Sequence, residues 1–99
     1  MKTKIAPVHP GEILQEEFLI PLGLSQNRLA QHLNVNISRI NEIVRGRRGI
    51  TGNTALRLAR AMNTTPEFWL NLQSHYDLET AKDELGDAIE KEVSIVIPA

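Results

Sequence analysis

Four arginines, Arg39, Arg45, Arg47 and Arg48, fall within ten consecutive positions of the stretch NISRINEIVRGRRGI, residues 36–50. A guanidinium is a permanent cation with a planar fork of donors, suited to phosphate oxygens and to base edges that offer two acceptors side by side. Beside them stand Asn36, Ile37, Ser38 and Glu42. These types match an adenine edge, a thymine methyl, a range of base edges and a cytosine amino group. If a helix starts at Asn36, these four and Arg39 share its exposed face and are candidates for reading bases. Arg45, Arg47 and Arg48 lie beyond that helix, in a loop bracketed by Gly46 and Gly49, and are candidates for phosphate contact through backbone and guanidinium. Gln26 and Thr51, at the amino ends of the neighbouring helices, join the phosphate-contacting set because free N–H groups there attract anions.

The charge is asymmetric around this cluster. The 99-residue chain has a formal net charge of -1. Up to Arg60, however, nine basic residues face four acids; from Ala61 onward, two lysines face eight acids. A basic front and an acidic back imply two partners, the first a polyanion. The competing reading is that both surfaces merely keep the protein in solution.

Positioning these groups requires helices, and the turn signals supply them. Pro10 opens HPGEILQEEFLIPLG, with Ile13, Leu14 and Phe18 on one face, and Pro21 with Gly23 closes it. Ser25 caps a second segment with Leu29, Ala30 and Leu33 inward, and Asn34 stands where the chain turns sharply. Asn36 caps a third, with Ile40, Ile43 and Val44 as its inner stripe. Thr51 caps TGNTALRLARAMN, and Thr65-Pro66-Glu67 starts a fifth segment carrying Phe68, Trp69, Leu72 and Tyr76. Five helices are expected between about Pro10 and Leu85. The β-branched ending VSIVIPA reads as a short strand or an extended tail.

Gln26 to Arg45 then reads as one unit: two short helices, a tight turn at Asn34-Val35, and a small residue, Ala30, where the helices cross. This is the spacing of a helix-turn-helix, with a plain helical hairpin as the alternative. Within five helices it resembles the phage-repressor (lambda repressor-like, Xre-type) helix-turn-helix. More narrowly, VHPGEIL, GRRGIT, ALRLARAM and PEFWLNLQSHYDL, spread from Val8 to Leu78, are similar to the HigA-type antitoxins of bacterial toxin–antitoxin modules.

The resemblance implies an all-α protein with residues 8–78 as the DNA-binding domain; residues 79–99 lie past the matching motifs and read from their own composition as an acidic extension, helix or tail with a possible short strand. It implies a homodimer that binds double-stranded operator DNA, represses its own operon, and neutralises a cognate toxin, usually a RelE-like mRNA endonuclease. It also implies a phosphate contact for Gln26 and a groove-facing role for Asn36, Ile37, Ser38, Arg39 and Glu42. One departure is Asn34, where many such turns hold glycine. Two rival readings stay open: a stand-alone regulator without a toxin, and a protein-binding inhibitor whose DNA-binding head is vestigial.

Other chemistry finds little footing. His9, His32 and His75 show no paired-ligand spacing, so no metal is expected. Glu16 and Glu17 are adjacent and point about 100° apart on a helix. Ser25, Ser38 and Ser74 lack a nucleophile-elbow context, and no glycine-rich phosphate loop follows a strand. There is no cysteine. Neither an enzyme nor a cofactor is expected. No apolar run approaches the roughly 20 residues of a membrane span, and no signal core follows the Lys2/Lys4 start, so a cytoplasmic protein is expected.

Overall fold

The computed structural model describes residues 6–98. Lys2 and Lys4 of the basic front, and Ala99 of the tail, lie outside them. Among the described residues the chain forms five helices and no strand, the all-α architecture expected.

The first helix, α1 (residues 10–22), consists of α-helical Pro10–Ile13 and Ile20–Leu22 around π-helical Leu14–Leu19. Pro21 lies within its last turn, not after it. A proline there lacks an N–H and would press its ring on the carbonyl four residues back. The wider π turn, in which the Ile20 N–H bonds the Gln15 carbonyl, precedes it and lets the helix pass through. Next come α2 (Gln26–Leu33), α3 (Ile37–Val44), α4 (Gly52–Met62) and α5 (Pro66–Glu92).

The starts follow the sequence closely. Ser25, Asn36, Thr51 and Thr65 each accept a backbone N–H from the first turn of the helix that follows. At α1 the cap is His9, whose Nδ1 accepts the Gly11 N–H at 2.9 Å. That role requires an unprotonated Nδ1, and burial lowers the His9 pKa from its ordinary value against the opposing pull of Asp77.

The first four helices all stop the same way. Gly23, Asn34, Gly46 and Asn63 take the left-handed conformation, with φ of 62°, 55°, 75° and 56°. The next residue's N–H then bonds the carbonyl five positions back: Leu24 to Leu19, Val35 to Ala30, Arg47 to Glu42, Thr64 to Ala59. Asn34 therefore takes the place of the more usual glycine, because its short polar side chain tolerates that region.

The core is built from Leu14, Leu19, Leu29, Ile40, Ile43, Leu58 and Trp69, with Ala30, Ala55 and Ala59 at the close approaches. Phe18 and Phe68 lie against Trp69, with ring centroids 5.1 and 5.0 Å away. Its Nε1 donates to Thr64 Oγ1 at 2.8 Å. Tyr76, further along α5, meets the His9 ring edge-on at 4.8 Å.

Two expectations for the carboxyl end change. The last helix does not stop near Leu85 but runs 27 residues to Glu92, uninterrupted at position 78, and carries the acidic run along its length. The possible strand is absent among the described residues: from Val93 to Pro98 no regular structure forms, and Ile95, Val96 and Ile97 are exposed. A single strand has no ladder partner within one chain, so its β-branched residues have nothing to pair with.

Candidate nucleic-acid interface

α2 and α3 pack on each other through Leu29, Ala30 and Leu33 from one side and Ile40 and Ile43 from the other. Ala30 is almost wholly buried at their crossing. The turn between them is only Asn34 to Asn36, with the Asn34 and Val35 N–H groups already used by the Ala30 and Gln31 carbonyls. This fixes the angle of α3 and leaves its outer face to solvent.

On that face Asn36, Ile37 and Ser38 are exposed, with Ile37 an apolar residue held 41% exposed at the amino end of the helix. Asn36 also spends its Oδ1 on the Ser38 N–H, at 2.8 Å, leaving its amide group as the available donor. Arg39 and Glu42, expected on the exposed face, are half-buried and held. The Arg39 Nη1 donates to Asn53 Oδ1 at 3.0 Å, and Glu42 pairs with Arg48 at 3.4 Å. The second contact is a surface ion pair worth about 0–1 kcal/mol, enough to orient two side chains and little more.

The arginine loop follows directly. Arg45 closes α3 as its carboxyl cap, and Arg45, Arg47 and Arg48 are exposed. The expectation of backbone contact with phosphate fails at Arg45 and at Arg47: the Arg45 N–H is bonded to the Asn41 carbonyl at 3.0 Å. The Arg47 N–H is bonded to the Glu42 carbonyl at 2.8 Å, so Arg47 offers its guanidinium but not its backbone to an anion. The far end of the loop is pinned to α5, where Gln73 Oε1 accepts the Ile50 N–H at 2.7 Å while its amide group donates to Asp77. Gly49 leaves just room for this: an added Cβ would come within 3.1 Å of the Gln73 side chain.

Gln26 and Thr51 flank α3 on either side. Gln26 Oε1 accepts from Asn41 Nδ2 at 3.2 Å, linking the start of α2 to the middle of α3. Thr51 caps α4 and lines, with Arg39, Arg48, Gly49, Asn53 and Thr54, a shallow cleft of about 380 Å³. The structure thus brings the arginine-bearing helix, the loop and two helix amino ends to neighbouring positions. Three side chains to which the sequence assigned no role join them: Asn41, Asn53 and Arg57. The Arg57 Nε donates to the same Asn53 oxygen at 2.9 Å, and its Nη1 to the Leu33 carbonyl at 2.8 Å. Only the four-residue spacing of Asn53 and Arg57 hinted at this.

A helix-turn-helix family model matches residues 15–69, more than half of the chain. Virulence-associated protein I of Dichelobacter nodosus is 48% identical over 97 residues, covering 98% of this chain and 85% of that one. Among solved structures, Pseudomonas aeruginosa antitoxin HigA with the higBA promoter matches with a TM-score of 0.88 at 45% identity, over 92% of this chain and 99% of that one. Antitoxin GraA in complex with its operator matches with a TM-score of 0.89 at 45% identity, over 99% of each chain. The chain belongs to the Xre-type helix-turn-helix family of the HigA and GraA antitoxins.

Each of the four HigA-type motifs has a physical role in the fold. VHPGEIL is the His9 cap together with Gly11, which packs against the end of α3. GRRGIT is the loop held by Gln73. ALRLARAM supplies the inner face of α4 through Ala55, Leu58 and Ala59, and PEFWLNLQSHYDL brings Trp69 and Gln73 to the head from α5. In this HigA-type chain, no helix among the described residues is long and apolar enough to cross a membrane.

Proposed function

We propose that this chain is an antitoxin that represses its own operon, binding palindromic double-stranded operator DNA as a homodimer and neutralising a RelE-like mRNA endonuclease. The observation that carries the reading is the single surface on which α3, the arginine loop and the amino ends of α2 and α4 converge. Residues 8–78 form the DNA-binding head. Asn36, Ile37, Ser38, Arg39 and Glu42 read base edges; Gln26, Arg45, Arg47, Arg48 and Thr51 contact phosphates. Repression is occlusion of the promoter by a bound protein, with no covalent chemistry. Support comes from the two relatives solved with a promoter and an operator.

Two copies would set their α3 helices about 34–36 Å apart, one turn of duplex. The row Leu78, Leu85 and Ile89 on α5, each at least 47% exposed at helical spacing, supports pairing of two copies, since burying it against a twin removes apolar surface from water. The acidic extension, residues 79–99, is the segment whose charge complements a basic, RNA-cleaving toxin.

The repressor half is tested by fluorescence anisotropy against the DNA upstream of the gene, at about 50 and 200 mM salt. Selective, salt-sensitive binding is expected, and Arg39→Ala should cost roughly 1–3 kcal/mol while relaxing preference at one base pair. Equal weakening on every sequence would instead make Arg39 a phosphate contact. The antitoxin half is tested by co-expression with a RelE-like mRNA endonuclease, taken from a reading frame beside the gene if one encodes a small basic protein. Cleavage of mRNA by that protein should stop when the chain is present; cleavage that continues unchanged reduces the proposal to a regulator alone.

A further inference from the structure

A long side chain discriminates between bases only when its rotamer is held before the DNA arrives. Arginine carries several flexible torsions, and ordering them during binding costs affinity and blurs register. In this chain the Arg39 guanidinium is held by a contact 14 residues away in sequence, Asn53 Oδ1 at 3.0 Å. The same oxygen accepts from Arg57 Nε at 2.9 Å, and Arg57 is in turn fixed to the Leu33 carbonyl at the end of α2, at 2.8 Å. A continuous chain of hydrogen bonds therefore runs from the carboxyl end of α2 through α4 to Arg39 on α3.

The chemistry of the central acceptor matters. A carboxylate at position 53 would neutralise the arginine it holds. An amide oxygen has two lone pairs, enough for both guanidinium groups, and carries no net charge. Both arginines keep their charge, and Arg39 keeps its other donors. Two like charges meeting at one neutral oxygen repel, and an arriving polyanion offsets that repulsion.

We propose that Asn53, backed by Arg57, is a positioning residue for sequence reading, holding the Arg39 guanidinium in the orientation it presents to a base pair. The inference rests on the DNA-binding reading above. Asn53 is exposed at the second position of α4, clear of the core, so its replacement leaves the fold standing. The test compares wild type, Asn53→Ala, Asn53→Asp, Arg39→Ala and the Asn53→Ala/Arg39→Ala double variant. Each is titrated against the operator, a set of single-base-pair operator variants and unrelated DNA, with melting temperature as a folding control.

Asn53→Ala should lower affinity for the operator more than for unrelated DNA, with discrimination down about tenfold at the same base pair that Arg39→Ala relaxes. The double variant should discriminate no worse than Arg39→Ala alone, since both act through one contact. Asn53→Asp should weaken binding to all sequences by pairing with the arginines. Asn53→Ala with discrimination intact, or with equal losses on every sequence, overturns the positioning role. Wild type that fails to prefer its operator over unrelated DNA would instead sink the DNA-binding reading itself, a different and separable result.

Discussion

Trp69→Ala is expected to destabilise the fold by roughly 3–5 kcal/mol, the range for removing a buried aromatic side chain from a core. Trp69 is fully buried and is the side chain on which α1 and α5 meet, between Phe18 and Phe68. Its loss opens a cavity in that cluster and strips Thr64 Oγ1 of its donor. A domain of this size has only about 5–15 kcal/mol of stability in total, so the melting temperature should fall by at least about 12 °C. Trp69 is the only tryptophan in the chain, so the variant has lost the fluorescent reporter and unfolding is followed by circular dichroism. Trp69→Phe separates the two causes. It keeps most of the apolar volume and forfeits the hydrogen bond, for a loss nearer 1 kcal/mol plus a smaller cavity term. If Trp69→Ala melted within a few degrees of wild type, the aromatic cluster would not be the joint between head and last helix.

Gly11→Ala should be comparably severe, for the opposite reason. A Cβ at Gly11 would sit on the Ile43 carbonyl oxygen, a backbone atom near the end of α3 that has no rotamer with which to move aside. Overpacking costs typically about 1–3 kcal/mol where side chains can yield, and more where they cannot. A loss of roughly 3 kcal/mol or more is expected, a fall of about 12–24 °C in melting temperature. Because the displaced group belongs to α3, the helix proposed to read DNA, operator affinity should fall further than the loss of folded protein accounts for. Gly52→Ala is the control: an added Cβ there meets nothing within 4 Å, and its melting temperature should barely change. A Gly11→Ala protein as stable as the Gly52→Ala protein would mean that α1 and α3 can separate without penalty.

Much of this molecule is legible in its amino-acid sequence, and the legible parts share one property: they are decided within a few residues of chain. Ser25, Asn36, Thr51 and Thr65 bond N–H groups two or three positions ahead, so their identity marks the helix starts directly. Asn34 closes α2 by its own backbone conformation. The apolar spacing of Leu29, Ala30, Leu33, Ile40 and Ile43 signals a helix-turn-helix because helical period alone puts them on facing sides. The arginine cluster is equally a property of neighbours in sequence.

What tertiary structure alone decided lies between distant segments. That Arg39 rests on Asn53, that Arg57 reaches Leu33 and that Gln73 holds Ile50 are pairings across 14, 24 and 23 positions. No local preference selects them; they exist only because the core sets α2, α3, α4 and α5 at particular angles. The same holds for Gly11, whose need for a bare backbone arises from the carbonyl of Ile43 on another helix. Residue types and local spacing single out the candidate groups for meeting DNA. The packing of the helices determined which of those groups are held still, because orientation is a property of the whole core and not of any one stretch of chain.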